Sequence, residues 1–284
     1  MTYDADDGLP LPATIDGSYR LTEHIFGSGG DRMYLAAHER HFERLLVSTM
    51  NAPKVSLGEL YRRLAYSSPG LFELEHIGMF DEESGGQWEY YCGLVEVLPP
   101  GDPARNRIRA ALPPALAVKL GREVGRILLA ADQGGIVITD AQPECIWVEE
   151  EAGGLRVSGL TGRAWPFFRS SELPSYGRWP PFERRYTSPE YAAGKVLSER
   201  SLTFLVGLLI AEWATGEFPF EEAYSHYLDP LMYEPPSPIR VAPRLEAILV
   251  SALQKQPEKR PPLAELLDAL EALGPNDLSE PWRM

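Results

Sequence analysis

The hydrophobic pattern of this chain changes character near Pro99-Pro-Gly. Before this point apolar and polar residues alternate, as in Tyr19-Arg-Leu-Thr-Glu-His-Ile, which is the period of a β-strand. After it, apolar residues recur at helical spacing, as in residues 115–131. Strands first and helices afterwards are typical of an α+β protein whose two parts are segregated. The sequence therefore predicts a bilobal α+β fold with a proline-rich joint at residues 98–103.

Shorter patterns within each part predict individual elements. The expected strands lie within 19–50, at 71–80 and at 88–97, with a turn at 81–86. The expected helices lie at 57–66, 115–131, 202–213, 245–254 and 263–273. The helix at 202–213 is apolar nearly all round, so we expect it to be central.

Composition disfavours several classes of function. The chain has 284 residues and a formal net charge of −14, so phosphates of nucleic acids and of anionic membranes would be repelled. Two cysteines are too few for a disulfide framework, and the scattered histidines indicate no metal site. The acidic start has no apolar run, and no apolar stretch is long enough to span a bilayer. We therefore expect a cytoplasmic protein that binds neither nucleic acid nor membrane.

Three motifs in the second part follow one another in a characteristic order. Ser188-Pro-Glu comes first, Gly207-Leu-Leu-Ile-Ala-Glu-Trp-Ala-Thr-Gly-Glu-Phe-Pro-Phe second, and Leu253-Gln-Lys-Gln-Pro-Glu-Lys-Arg-Pro last. Over roughly residues 19–273, the chain resembles bacterial serine/threonine protein kinases of the eukaryotic type.

The resemblance implies a protein-kinase-like fold, with a small antiparallel β-sheet and one helix in the N-terminal lobe and a larger, mainly helical C-terminal lobe. The lobes are expected at 19–97 and 98–273, between a flexible N-terminal tail at 1–18 and a C-terminal tail at 274–284. The resemblance also implies a structural ion pair between Glu190 and Arg260.

The family's catalytic loop matches a stretch in which Asp140 falls on the aspartate that accepts the substrate's hydroxyl proton. The family's histidine, arginine, lysine and metal-binding asparagine are replaced there by Ile138, Thr139, Gln142 and Cys145. An amide has no charge for the γ-phosphate, and a thiol is a poor ligand for Mg²⁺. Asp140 is either a working base or a carboxylate that only caps the loop.

Three further positions depart from the family's pattern. Ser48 stands where the resemblance places the lysine that holds ATP phosphates, and Gly159 stands where it places the aspartate that holds magnesium. Leu202 replaces an aspartate that holds the backbone of the catalytic loop in kinases. We therefore expect no ordered Mg²⁺ in this chain.

Residues 27–34 resemble a shortened glycine-rich nucleotide loop, in which Gly27, Gly29 and Gly30 are candidate phosphate-binding residues. A plain hairpin is an equal alternative. Arg32 is a candidate to supply the positive charge that Ser48 lacks.

These substitutions predict a pseudokinase: not an enzyme, but a catalytically inactive scaffold or allosteric regulator that binds another protein. The candidate docking segment is 163–189, which is rich in proline and aromatic residues and whose five arginines suit an acidic partner. No cofactor is expected, although ATP binding without ordered Mg²⁺ stays open. The alternatives are a weak atypical serine/threonine kinase that uses Asp140, a nucleotide-binding sensor, and an unrelated α+β structural protein.

Overall fold

The computed structural model describes residues 14–15, 17–28, 31–38, 41–51, 68–84, 87–134, 141–161, 186–193, 195, 197–220 and 233–279. These residues form two compact units. The first unit takes in the described residues up to Pro99 except 68–70, together with Thr161, and the second takes in the rest. The first is built of strands and the second mainly of helices, which confirms the predicted α+β class.

One antiparallel sheet of six strands forms the first unit, in the order β1-β2-β3-β4-β6-β5. Its strands are β1 (Thr14–Ile15), β2 (Tyr19–Ser28), β3 (Asp31–His38), β4 (His41–Asn51), β5 (Leu74–Ser84) and β6 (Gln87–Val97). Strand β1 lies inside the segment predicted to be a tail, and it pairs with the beginning of β2.

The core of this sheet follows from the alternating pattern. Tyr34 lies opposite Val47, and Val47 lies opposite Val95, so one row of buried side chains crosses three strands. Since side chains alternate between faces along a strand, residues two positions apart join the same cluster. The cluster consists of Tyr19, Leu21, Tyr34, Ala36, Leu45, Val47 and Val95.

The hairpin of β5 and β6 is longer than the sequence predicted. Residues 81–84 were expected in a turn, but they end strand β5, with Asp81 opposite Tyr90 and Ser84 opposite Gln87. Pairing with β6 outweighs the low strand preference of Asp, Glu and Ser, so the prediction of a turn is wrong there. The helix predicted at 57–66 lies outside the described residues.

The second unit combines a small sheet with helices. Its sheet consists of β7 (Asp102–Pro103), β8 (Ile146–Glu151) and β9 (Gly154–Leu160) in that order. Its helices are α1 (Ala104–Arg107), α2 (Pro114–Gln133), α3 (Pro189–Ala192), α4 (Glu199–Thr215), α5 (Pro243–Ala252), α6 (Leu263–Glu271) and α7 (Pro275–Ser279), with a 3-10 turn at Pro257–Lys259.

Helix α4 is the centre of this unit, in agreement with its apolar pattern. Every residue from 201 to 213 is buried. Two glycines let its neighbours approach closely: a Cβ on Gly121 of α2 would lie 2.1 Å from Ile210, and a Cβ on Gly207 of α4 would lie 2.8 Å from Ala252. Helices α2 and α5 therefore pack against α4 through positions where a larger residue would clash.

The helices expected at 115–131, 245–254 and 263–273 correspond to α2, α5 and α6, with ends that differ by less than a turn. None of the helices in the described ranges combines the length and the apolarity that a membrane crossing requires. Localisation in the cytoplasm stays a prediction.

Candidate functional site

Arg260 is fully buried, and each of its three guanidinium nitrogens has an acceptor. Its Nη1 and Nη2 atoms donate to Oε1 and Oε2 of Glu190 at 2.7 and 2.9 Å. The remaining acceptors are the backbone carbonyls of Gln254, Arg200 and Lys255, at 2.6, 2.9 and 3.0 Å. Arg260 and Glu190 thus form a bidentate ion pair, which is the strongest arrangement of a guanidinium and a carboxylate.

Glu190 lies in α3, whose N-cap residue Ser188 accepts a hydrogen bond from the backbone N–H of Tyr191. Burial raises the pKa of Glu190, but the hydrogen bond and charge of Arg260, together with Ser201, outweigh it and hold the pKa below its ordinary value. The carboxylate is therefore charged at neutral pH. The pair joins the motif at 188–190 to the motif at 253–261.

A second charged cluster joins four segments of this unit. Arg105 of α1 donates through Nε to Glu144 at 2.8 Å and through Nη1 to Glu212 of α4 at 3.3 Å. Its Nη2 donates to the hydroxyl of Tyr186, which in turn donates to the Glu212 carboxylate at 2.7 Å. We call Arg105, Glu144, Tyr186 and Glu212 the arginine cluster.

The surroundings of Arg105 favour the charged form of its guanidinium. The Glu144 and Glu212 side chains are only 15% and 11% exposed. Burial lowers the pKa of Arg105, but Glu144, Tyr186 and Glu212 outweigh it and hold that pKa above its ordinary value. The cluster ties the residues just before Ser188 to the loop that follows Asp140 and to helix α4.

Sequence reasoning missed the arginine cluster. Its members are far apart in the chain, since Arg105 and Glu212 are separated by 107 positions. The one available signal was Glu212, which belongs to the motif at 207–220.

The predicted catalytic stretch is described only in part. Ile138, Thr139 and Asp140 lie outside the described residues. Immediately after them, Gln142 and Cys145 are both 1% exposed, and the backbone N–H of Cys145 donates to the Gln142 carbonyl at 2.8 Å. Gln142 and Cys145 therefore begin and end a tight turn, and both side chains are buried.

Two other predicted positions lie on regular elements. Gly159 is on β9, directly opposite Trp147 of β8. Leu202 is on α4 and is 1% exposed, so it occupies a buried place where the resemblance expects a charged side chain.

The family implies Mg²⁺, and the described residues do not fit that ion. Cys145 offers a buried thiol, and Gly159 has no side chain. In the part of the chain that the structure describes, no three side chains of His, Cys, Asp or Glu come together in a way that could hold a metal. Because Mg²⁺ prefers oxygen ligands, these positions supply no magnesium site of the family's kind.

The predicted nucleotide loop is the hairpin between β2 and β3. Gly27 and Ser28 end β2, and Ser28 lies opposite Asp31. Gly29 and Gly30, which connect them, lie outside the described residues.

Arg32 and Ser48 lie on neighbouring strands, β3 and β4, but they are not opposite each other. Arg32 of β3 lies opposite Thr49 of β4, whereas Ser48 lies opposite Met33. Arg32 is 8% exposed. By strand alternation, it belongs to the face of Tyr34 and of the sheet's core cluster rather than to the face of Met33. Its assignment to a nucleotide loop stays a prediction.

Of the candidate docking segment 163–189, the structure describes only residues 186–189. The role of this segment in binding a partner therefore also stays a prediction.

Comparisons with known proteins point to kinases. No family model matches the chain. The chain is 24% identical over 265 residues to the serine/threonine-protein kinase Pkn1 of Myxococcus xanthus, covering 88% of this chain and 37% of the relative. It is 26% identical over 263 residues to the serine/threonine-protein kinase PrkC of Bacillus subtilis, covering 90% of this chain and 40% of the relative. The chain thus spans less than half the length of these two relatives.

Solved structures show the same fold. The kinase domain of PknI from Mycobacterium tuberculosis matches with a TM-score of 0.57 at 19% identity, covering 93% of this chain and 99% of that one. A second crystal structure of this domain matches with a TM-score of 0.59 at 18% identity, covering 96% and 99%.

These findings correct one prediction. The sequence predicted a chain that is not an enzyme, but the relatives reported above are named as serine/threonine kinases, which points to an enzyme. The prediction of a protein-kinase-like fold is confirmed. The chain has the fold of a protein kinase, and its sequence is similar to those of bacterial serine/threonine kinases.

Proposed function

We propose that this chain is an atypical protein-kinase domain, which transfers the terminal phosphoryl group of ATP to a serine or threonine hydroxyl of another protein. The observation that carries the proposal is the buried Glu190–Arg260 pair, which joins two of the motifs that resemble kinases. Further support comes from the similarity to named kinases over 88–90% of the chain.

Asp140 has the role of general base in this proposal. Its carboxylate would accept the proton of the substrate hydroxyl as the phosphoryl group is transferred. The buried turn at Gln142 and Cys145 and the bond from Arg105 to Glu144 hold the chain that follows Asp140. These contacts concern the described residues that follow Asp140 in the chain.

In this proposal, the chain binds the phosphates of ATP without the charged residues that the family uses. Ser48, Gln142, Cys145 and Gly159 stand at the positions of the usual lysines and magnesium ligands. Neutralisation of the transferring group supplies most of the rate in phosphoryl transfer. We therefore propose that ATP binds without Mg²⁺ ordered at these positions, and that transfer is slow.

The substrate protein is proposed to be acidic. Five arginines lie within residues 163–189, in a chain whose net charge is −14. A local basic segment on an acidic protein attracts and orients acidic partners.

A transfer assay with γ-labelled ATP tests the proposal. The acceptors are casein, which is acidic, and myelin basic protein. We expect wild-type protein to label casein above the basic acceptor. Asp140→Asn, which removes the charge with little change of shape, is expected to abolish labelling.

The matched control is Asp268→Asn, the same substitution at an exposed position on α6, which is expected to leave labelling unchanged. Labelling by wild type that does not exceed labelling by Asp140→Asn would contradict the proposal. In that case, a shift of the unfolding temperature by millimolar ATP would identify a nucleotide sensor instead.

A further inference from the structure

We propose that the helical unit binds a small zwitterion, an α-amino acid with an aliphatic side chain, in a cavity at the C-terminal end of helix α4. The cavity has a volume of about 220 Å³ and is lined by the end of α4, by the loop that follows it and by residues 237–240. The proposal stands apart from phosphoryl transfer, because it uses neither ATP nor Asp140.

The buried part of the cavity is apolar. Among the described residues that line it, those that are buried are Ala211, Pro219 and Ile239, and half-buried Ala214 and Phe218 add further apolar surface. Sites for drug-sized ligands have volumes of about 300–1,000 Å³, so this smaller cavity suits a molecule the size of a single amino acid. Its buried lining favours an aliphatic side chain, because burial removes apolar surface from water.

The exposed part of the lining carries both signs of charge. Glu217 belongs to the loop after α4, and Arg240 belongs to the segment 237–240; both are exposed. An α-amino acid has an ammonium group that suits the carboxylate of Glu217 and a carboxylate that suits the guanidinium of Arg240. A guanidinium has five N–H donors, so it can bind a ligand's carboxylate in addition to other acceptors. Arg260 of the same unit does this, since it serves Glu190 and three backbone carbonyls.

Hydrogen bonds hold the two segments that carry these charges. The Thr215 hydroxyl donates to the Ala211 carbonyl at 2.8 Å and accepts from the backbone N–H of Glu217 at 3.1 Å. The backbone N–H of Ser237 donates to the Pro219 carbonyl at 2.7 Å, which joins one segment to the other. A cavity whose walls are held in this way loses little conformational freedom when a ligand binds.

Isothermal titration calorimetry of the whole chain with four ligands tests the proposal. L-Leucine is expected to bind saturably at millimolar concentration. Glycine, which lacks the apolar side chain, should bind at least about tenfold more weakly. Leucinamide, which lacks the carboxylate, and N-acetyl-leucine, which lacks the ammonium group, should each bind roughly threefold to fivefold more weakly, as expected for exposed ion pairs.

Two variants locate the site. Arg240→Met should weaken the binding of leucine roughly threefold to fivefold and leave the binding of leucinamide unchanged, because only leucine has the carboxylate. Its control is Arg244→Met, which removes an exposed arginine outside the lining of the cavity. Ala214→Leu places a larger side chain in the cavity and should abolish binding, whereas Ala247→Leu, at an exposed position on α5, should not.

Circular dichroism establishes that each variant is folded. If Ala214→Leu does not fold, the comparison of leucine with leucinamide on Arg240→Met decides the matter. The proposal is overturned by the absence of saturable binding of leucine, by equal affinities for leucine and glycine, or by Arg240→Met or folded Ala214→Leu protein that binds leucine as wild type does.

Discussion

Replacing Arg260 by methionine is expected to cost the protein a large part of its stability. Arg260→Met leaves the Glu190 carboxylate, 4% exposed, without its counter-charge, and three backbone carbonyls lose their donors. Breaking a buried ion pair from one side costs about 3–5 kcal/mol. Since natural proteins are stable by only about 5–15 kcal/mol, the loss is readily measured. The assay is urea unfolding, followed by the fluorescence of the buried Trp147 and Trp213.

Two further variants distinguish the stability lost with the Glu190–Arg260 pair from the stability lost when any arginine is removed. Arg244→Met removes an arginine that is 55% exposed and pairs with Asp277 at 2.7 Å. This change is expected to cost at most about 1 kcal/mol, because exposed ion pairs contribute little. The double variant Glu190→Leu with Arg260→Met should regain part of the loss, since no charge is then left buried alone. A cost for Arg260→Met no larger than that of Arg244→Met would refute the reasoning.

Three other predictions concern the same unit. Gly207→Ala should lower the free energy of unfolding by about 1–3 kcal/mol, because its Cβ would lie 2.8 Å from Ala252; urea unfolding measures this loss. Glu212→Gln should cost about 1–3 kcal/mol in the same assay, because the Tyr186 hydroxyl loses a charged acceptor at 2.7 Å. The pKa of Glu190 is lowered in the folded chain, so its stabilisation is full above the ordinary pKa of about 4.3 and is lost as pH falls through the lowered value. The stability difference between wild type and Glu190→Gln should therefore narrow with acidity below about pH 4, and unfolding at several pH values tests this.

Elements with a strong pattern could be predicted from the sequence. Residues 202–213 of helix α4 are apolar nearly all round, and a helix of that kind is expected to be buried. The alternating residues of β2, β3 and β4 likewise identify the face that holds Tyr34 and Val47. The turn expected at 81–86 is wrong over residues 81–84, which belong to β5. Asp and Glu favour turns locally, but hydrogen bonds to β6 decide the structure there.

Contacts between distant residues were harder to foresee. Glu190 and Arg260 are 70 positions apart, and only the resemblance to kinases suggested their pairing. The arginine cluster was missed, because no periodicity relates Arg105 to Glu144, Tyr186 or Glu212. Side-chain networks of this kind are set by the packing of whole elements, which local patterns do not contain.

We propose that this chain, which has the kinase fold, transfers phosphate with Asp140 as the general base. The most direct measurement is the intact mass of an acidic acceptor protein after prolonged incubation with ATP and either wild-type chain or Asp140→Asn. We expect the acceptor to gain the mass of one or more phosphoryl groups when it is incubated with wild type, and no mass when it is incubated with Asp140→Asn. An acceptor whose mass is unchanged by wild type, or raised equally by the folded Asp140→Asn variant, would contradict the claim.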